Sequence, residues 1–214
     1  MEDDVMRWIW MKWLEDLLIA THCNRKFPEA PIAMTLERVL ELYSEGHRVF
    51  ARCVIGGMMR GANLTGTNLE DACMTGVQME DTNFEEAVLF RANVRKGTLN
   101  GGNFSGAKLM GANLWAAGLY HCEVGGANFS GANLTSAGCG KWTVNGRLLA
   151  EAVRDLDEGL PDMSNVQVDP QTLRQSGWDV EICRWLIQSG AQFLVSPDYP
   201  PDIVDLLAAR LRGE

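Results

Sequence analysis

The sequence predicts a β solenoid, a squared coil of stacked five-residue sides with helical segments at both ends. Three observations lead there. Every fifth residue from Leu64 to Leu134 is Leu, Met, Phe or Val. The residue two places earlier is nearly always small, as at Ala62, Ala72, Ala87, Gly97, Gly102, Ala112 and Ala132. The beat runs from Gly61 to Gly140 without insertion, with Cys139 as its last centre. A helix places apolar residues at a period of 3.6 and a strand at 2.0, so neither accounts for it. A strict five suits a chain that turns a corner every five residues, each side sending one large and one small side chain inward. Four sides then close a coil of about twenty residues, stacked at the ~4.8 Å spacing of neighbouring strands.

The small residue follows from packing. A narrow coil has room for one large side chain per side, and a second would overpack it at about 1–3 kcal/mol. His47 and Arg52 hold that place in the earliest candidate blocks and Trp142 holds it in the last. Those residues mark the expected ends of the coil. Four to five coils would lie between them, a rod of roughly 20–24 Å. The expected organisation is an N-terminal helical cap over 1–48, the β-helix over 49–145 and a C-terminal helical segment over 146–214.

Blocks such as Gly111-Ala112-Asn113-Leu114 resemble the pentapeptide repeat family, whose consensus is Ala-(Asp/Asn)-Leu-x-x. Asn fills the place between the small residue and the centre eight times from Asn63 to Asn133. Weaker blocks, Ala51-Arg52-Cys53-Val54-Ile55 and Gly56-Gly57-Met58-Met59-Arg60, extend the match upstream. The resemblance implies a right-handed quadrilateral β-helix. It covers neither terminus.

The flanks read as helices. Residues 3 to 21 carry Trp10, Trp13, Leu14 and Leu17 along one side, which packs either on the rest of the chain or on a partner or second copy. A second helix starts at Thr35 as N-cap and ends before Gly46, with Leu36, Val39, Leu40 and Tyr43 on its apolar face. Its expected role is to cover the open coil end, because exposed strand edges invite pairing. Downstream, short helices are expected at Leu148 to Leu156, after Asp169-Pro170, at Asp179 to Gln188 and at Asp202 to Leu211, forming a cap or an interaction arm.

Composition narrows function. Charged residues are 22% and apolar residues 46%, which fits a folded chain. No run of eighteen apolar residues suggests a membrane span, and the acidic start at Glu2, Asp3 and Asp4 is the wrong charge for a secretory leader, so a cytoplasmic protein is expected. The same expectation makes the Asn-x-Ser/Thr sequons products of the repeat rather than glycosylation sites. The six cysteines show no zinc spacing. Cys53 and Cys73 are twenty residues apart, close to disulfide-compatible on neighbouring coils, although cytosolic thiols stay reduced. No cofactor motif occurs: no phosphate loop, GxSxG or HExxH. His121 beside Cys122 is not read as a nucleophilic pair, since Cys122 is expected to point inward.

Two outward features suggest binding. Phe90 and Met110 fall one coil apart in one outward column, and Trp115 and Tyr120 point out from the next two sides. Exposed aromatics on a rigid rod are interface candidates, unless terminal helices fold back over them. The leading expectation is a non-enzymatic protein–protein interaction module, with those four residues as its patch and a homodimer through the terminal helices as one form of partnership. The family resemblance implies an alternative, DNA mimicry that binds DNA gyrase and protects it from quinolones or toxins. Charge placement opposes it. Residues 60 to 147 hold seven acids and seven Lys or Arg residues, while B-DNA would present on the order of fourteen phosphates over ~24 Å. The negative excess lies from Leu148 onward, with twelve acids against five arginines. A net charge of −9 without a basic stripe disfavours direct nucleic-acid binding. The mixed outward columns disfavour ice binding. An enzyme with a site at the junction of cap and coil is the third class.

Overall fold

The computed structural model describes residues 32–155 and 158–194. The N-terminal helix expected at 3–21 and the last helix expected at 202–211 lie outside these residues. In chain order the elements are β1 (Ala33–Thr35), α1 (Leu36–Ser44), β2 (Val54–Gly56), β3 (Thr143–Val144), β4 (Arg147–Leu148), α2 (Leu149–Asp155), β5 (Gln167–Val168), α3 (Pro170–Ser176), α4 (Val180–Gln188) and β6 (Gln192–Phe193).

Between β2 and β3 the chain is a β solenoid built from single parallel bridges, which explains why named strands are few. Asn63 bridges Asn83, Asn83 bridges Asn103 and Asn103 bridges Glu123, each a step of twenty residues. Four five-residue blocks therefore make one turn. The centres face the axis: Leu64, Phe84 and Phe104 are each 1% exposed. Phe84 and Phe104 stack with ring centroids 5.0 Å apart. The small places are buried too, including Ala72, Ala87, Ala92 and Ala112.

The corners are left-handed. Gly111 has φ +65 and Gly126 +66, a region that glycine enters without a Cβ clash. Asp71, Arg91, Lys96, Ala116 and Ser136 hold the same corner at φ between +54 and +59. The repeated Asn has a mechanism as well. Its Oδ1 accepts the backbone N–H two residues on, at 3.1 Å from Thr65 to Asn63, 2.9 Å from Glu70 to Asn68 and 2.9 Å from Ser130 to Asn128. That bond closes the turn at each corner.

Three readings of the coil are corrected. First, the upstream blocks are shifted by one residue. Val49 bridges Asn68 and Val54 bridges Cys73, steps of nineteen, before Met58 restores the step of twenty to Gln78. Phe50 and Ile55 are therefore the core-facing centres, each 1% exposed, and Cys53 takes a buried small place. The missing residue falls at Gly56-Gly57. Gly57 has φ +133, and a Cβ there would stand 3.3 Å from Leu36 Cβ. Arg52 does not end the coil.

Second, Cys53 and Cys73 are not stacked on neighbouring coils. The one-residue shift sets Val54, not Cys53, against Cys73. Cys53 is a free thiol, whereas Cys73 is disulfide-bonded.

Third, Trp142 interrupts the coil without ending it. Its ring is 1% exposed, stacks on Phe129 at 5.2 Å and meets Trp178 edge-on at 5.7 Å. Its indole N–H donates to the Leu119 carbonyl at 2.7 Å. The chain then leaves through the β3–β4 hairpin and α2 and rejoins the ladder, with Asp162 bridging Asn128 and Gln167 bridging Asn133. That step is thirty-four residues, fourteen beyond the regular turn. Met163, Val166 and Val168 resume the inward positions at 0% exposure. One side of the solenoid thus carries eight parallel rungs, from Ala33 through Val54, Cys73, Asn93, Asn113, Asn133 and Gln167 to Gln192. Seven steps make it roughly 34 Å long, more than the 20–24 Å expected from four to five coils.

The helices at both ends have sequence causes. In α1 the Thr35 side chain accepts from Arg38 N, and Leu36 and Val39 are fully buried. Tyr43 donates from its hydroxyl to the Thr65 carbonyl at 3.1 Å, tying α1 to the coil. Asp169 caps α3, and Thr172 Oγ1 donates to the Leu134 carbonyl at 2.7 Å. Asp179 caps α4, which packs on α2 through buried Ile182, Cys183 and Leu186.

Glu123 pins the excursion. It replaces the usual Asn and accepts from Gly125 N at 3.1 Å, then reaches one coil on to Thr143 Oγ1 at 2.9 Å, Asn145 N at 2.9 Å and Gly146 N at 3.1 Å. Partial burial pushes its pKa up, but the four hydrogen bonds together outweigh that and hold it below the ordinary carboxyl value. A lowered folded-state pKa stabilises above the unfolded value and is lost as pH falls through the folded one. The gap in thermal midpoint between wild type and Glu123→Gln is therefore expected to be full at pH 7 and to close below about pH 4, the unfolded carboxyl range, as read by calorimetry across that range.

Two buried threonines make a matched pair. Thr67 Oγ1 donates to the Leu64 carbonyl at 2.7 Å, whereas Thr82 Oγ1 has no hydrogen-bond partner. Thr82→Val is expected to raise stability by about 1–3 kcal/mol, and Thr67→Val to lower it by about 1 kcal/mol, in urea unfolding.

Candidate interaction surface

The twenty-residue turn sorts outward side chains into columns. Phe90 and Met110 share one column, since Asp71 N donates to the Phe90 carbonyl and Arg91 N to the Met110 carbonyl, one coil per step. Trp115 lies on the next side, one coil beyond Arg95, and Tyr120 on the side after that. All four are partly covered rather than fully exposed. The structure does not gather them into one patch.

Phe90 is shielded by its neighbour. The Arg91 guanidinium sits 4.6 Å from the ring centroid while donating to Asp71 at 2.9 and 2.5 Å. Glu70 lies 3.5 Å from the same guanidinium, and Arg60 pairs with Asp81 at 2.6 Å. Arg91 and Arg60 titrate above the ordinary arginine value, chiefly through the hydrogen bonds they donate to Asp71 and Asp81 respectively. Exposed pairs of this kind add little stability, but they neutralise acids that would otherwise line the rod.

Trp115 and Tyr120 do come together. They border a groove of about 480 Å³, floored by Ala117, Gly118 and Gly138 and walled by Gln171 and Gln175 of α3. The floor exists because Gly118 and Gly138 stand where other blocks carry Asn. The Tyr120 ring leans into the space above Gly138, where a Cβ would collide with it. Its hydroxyl reaches the Gln175 carbonyl at 3.5 Å. On the far side Ser136 N and Oγ donate to Asp169 at 2.9 and 3.2 Å, fixing α3 against the coil. Trp115 carries two cations: Arg95 Cζ lies 4.8 Å and Lys96 Nζ 5.5 Å from its ring centroid.

The wall from α3 was missed in the sequence, because the resumed coil that positions it follows an irregular excursion. The Arg95–Trp115 stacking was missed too, although the twenty-residue step between the two positions could have found it. A smaller groove of about 290 Å³ lies near Trp142, Leu148, Trp178 and Ile182. Ile32, Val49 and Met58 are exposed at the N-terminal end.

Among the described residues no cluster of His, Cys, Asp and Glu could hold a metal ion, and no helix is long and apolar enough to cross a membrane. Cys122 is fully buried, with its thiol donating to the Leu99 carbonyl at 3.4 Å. Burial pushes its pKa up to about 12, so a thiolate beside His121 does not form at neutral pH.

The pentapeptide repeat family profile matches in eight copies, over residues 55–85 and 87–122. Residues 55–122 are thus pentapeptide repeats of that family. No curated protein matches the sequence. Among solved structures, a pentapeptide repeat protein (Rfr23) from the cyanobacterium Cyanothece 51142 is 21% identical with TM-score 0.38, covering 52% of this chain and 94% of that one. A pentapeptide repeat protein from the Arabidopsis thaliana thylakoid lumen is 21% identical with TM-score 0.40, over 52% and 76%. QnrB1, described as a plasmid-mediated fluoroquinolone resistance protein, is 15% identical with TM-score 0.45, over 85% and 97%. Likenesses at this level do not carry function across.

Gly138→Ala is expected to displace the Tyr120 ring and to cost about 1–3 kcal/mol as overpacking, visible as a lowered urea midpoint and a changed near-ultraviolet circular dichroism band.

Proposed function

We propose that the protein is a non-enzymatic interaction module: a right-handed quadrilateral β-helix whose rigid sides and helix-capped ends dock a protein partner or a second copy through the terminal helices. The observation that carries this reading is the Trp115–Tyr120 groove. Two aromatics from adjacent sides of the solenoid border a groove walled by a helix that arrives from fifty residues downstream in sequence. Aromatic side chains on a preorganised scaffold lose little entropy on binding, which is why they dominate interfaces. Phe90 and Met110 form a separate apolar column on the neighbouring side.

Mimicry of DNA is disfavoured by the cross-coil pairs. Asp71 and Glu70 are met by Arg91, and Asp81 by Arg60, so the acids of these coils do not form a continuous negative face. Added in large excess, the protein is expected to leave gyrase supercoiling and its quinolone sensitivity unchanged.

The module reading is tested by capture on the immobilised full chain from an extract of its source cells, followed by titration of the purified captured protein. Saturable binding that weakens at least tenfold in Trp115→Ala/Tyr120→Ala or Phe90→Ala/Met110→Ala is expected. Binding indifferent to both double variants removes the four residues, and absence of any saturable partner removes the reading.

A further inference from the structure

We propose that the groove between Trp115 and Tyr120 binds an extended acidic peptide. This rests on reading the protein as an interaction module, and it supplies the partner chemistry for one of its surfaces.

Charge complementarity sets the sign of the ligand. Arg95 and Lys96 converge on the Trp115 ring at 4.8 and 5.5 Å. Among the described residues neither makes an ion pair with a carboxylate, unlike Arg60 and Arg91 one column away. The residues lining the groove carry no charge, so Arg95 and Lys96, at its Trp115 rim, set its sign. Asp169, which holds the lining residue Ser136, is 3% exposed, and its carboxylate accepts from Ser136 and from Thr172 N. A carboxylate entering beside Trp115 would meet two cations and no opposing charge.

The polar chemistry of the wall fits a peptide backbone. Gln171 and Gln175 are one helical turn apart, so their carboxamides project on the same side of α3. Each offers both donors and an acceptor, matching the alternating N–H and C=O of an extended chain. A phosphate ligand would instead want free backbone N–H groups, and those at the groove are committed. Ala116 N donates to Thr135 O, Gly118 N to Gly97 O and Gly138 N to Ala117 O, at 2.8–3.0 Å. The glycine floor adds shape by admitting the Tyr120 ring over Gly138, which sets that ring as the wall facing Trp115. Trp115 and Tyr120 then pack against side chains or prolines of the bound segment.

The test uses the full chain and a fluorescein-labelled octapeptide of alternating Pro and Glu, which stays extended without help. Octapeptides of alternating Pro and Lys and of Pro and Ser are the controls. Fluorescence anisotropy at low salt is expected to show saturable binding of the Glu peptide alone, weakening as NaCl is raised. Arg95→Glu/Lys96→Glu, at two surface positions whose side chains leave the core untouched, is expected to weaken it at least tenfold, with an unchanged thermal midpoint confirming the fold. Gly138→Ala, which moves Tyr120, is expected to weaken it independently. The proposal is overturned if the Glu peptide does not saturate, if the Pro-Ser peptide binds equally well, or if charge reversal leaves its binding intact. Failure here, alongside partner capture that still depends on Phe90 and Met110, removes the groove assignment and leaves the module reading in place.

Discussion

The cross-section of the coil is the constraint on which everything else depends. Each side admits one large and one small inward side chain, and the backbone hydrogen bonds hold every side one rung above the last. Interior and exterior are thereby fixed together: once Leu64, Phe84 and Phe104 point at the axis, the outward positions are fixed in columns. Binding surfaces on such a scaffold are written by substitution along a column, because the main chain has little freedom to move. Residues in one column come from segments twenty apart in sequence, so Arg95 can stand over Trp115 without any local motif joining them.

The regular part of this architecture was legible because the signal repeats. Sixteen blocks vote for the same register, and the structure places their centres and small residues inward as expected. What escaped were the departures from repetition. The lost residue at Gly56-Gly57 is invisible in a frame counted backward from Gly61, since both Val54 and Ile55 are apolar and either could be the centre. Burial does not separate them, at 3% and 1%; the bridge register does, setting Val54 level with Cys73 and Ala33 and so leaving Ile55 as the centre. Trp142 misled for a sound reason: a large ring in the small place would overpack a regular coil. It fits because the chain departs there, leaving its ring to pack between Phe129 and Trp178.

The surface was less readable than the core. Outward direction followed from the period, so Phe90, Met110, Trp115 and Tyr120 were placed on the correct sides. Their neighbours from outside the repeat were not. α3 reaches the Trp115–Tyr120 edge only because Asp169 is buried under Ser136 and Thr172 bonds back to Leu134. Those anchors belong to the resumed coil, whose two blocks, centred on Met163 and Val168, are too few to announce a five-residue beat after the excursion. Eight asparagines stood in plain view in the sequence, yet their purpose as corner locks appears only once the backbone N–H two residues on is seen pointing at each of them.

The excursion between Val144 and Asp162, fourteen residues longer than the regular turn, has a consequence for how such proteins diversify. The chain departs at one corner and re-enters a rung later with pitch and spacing unaltered, so the detour's length is uncoupled from the stacking on either side. Glu123 acts as the staple at its root, binding the first turn of the loop to the coil beneath. A lineage built this way can lengthen, shorten or replace the loop as an appendage while the shaft keeps its mechanical stiffness, and the same corner offers protein engineers a tolerant graft point.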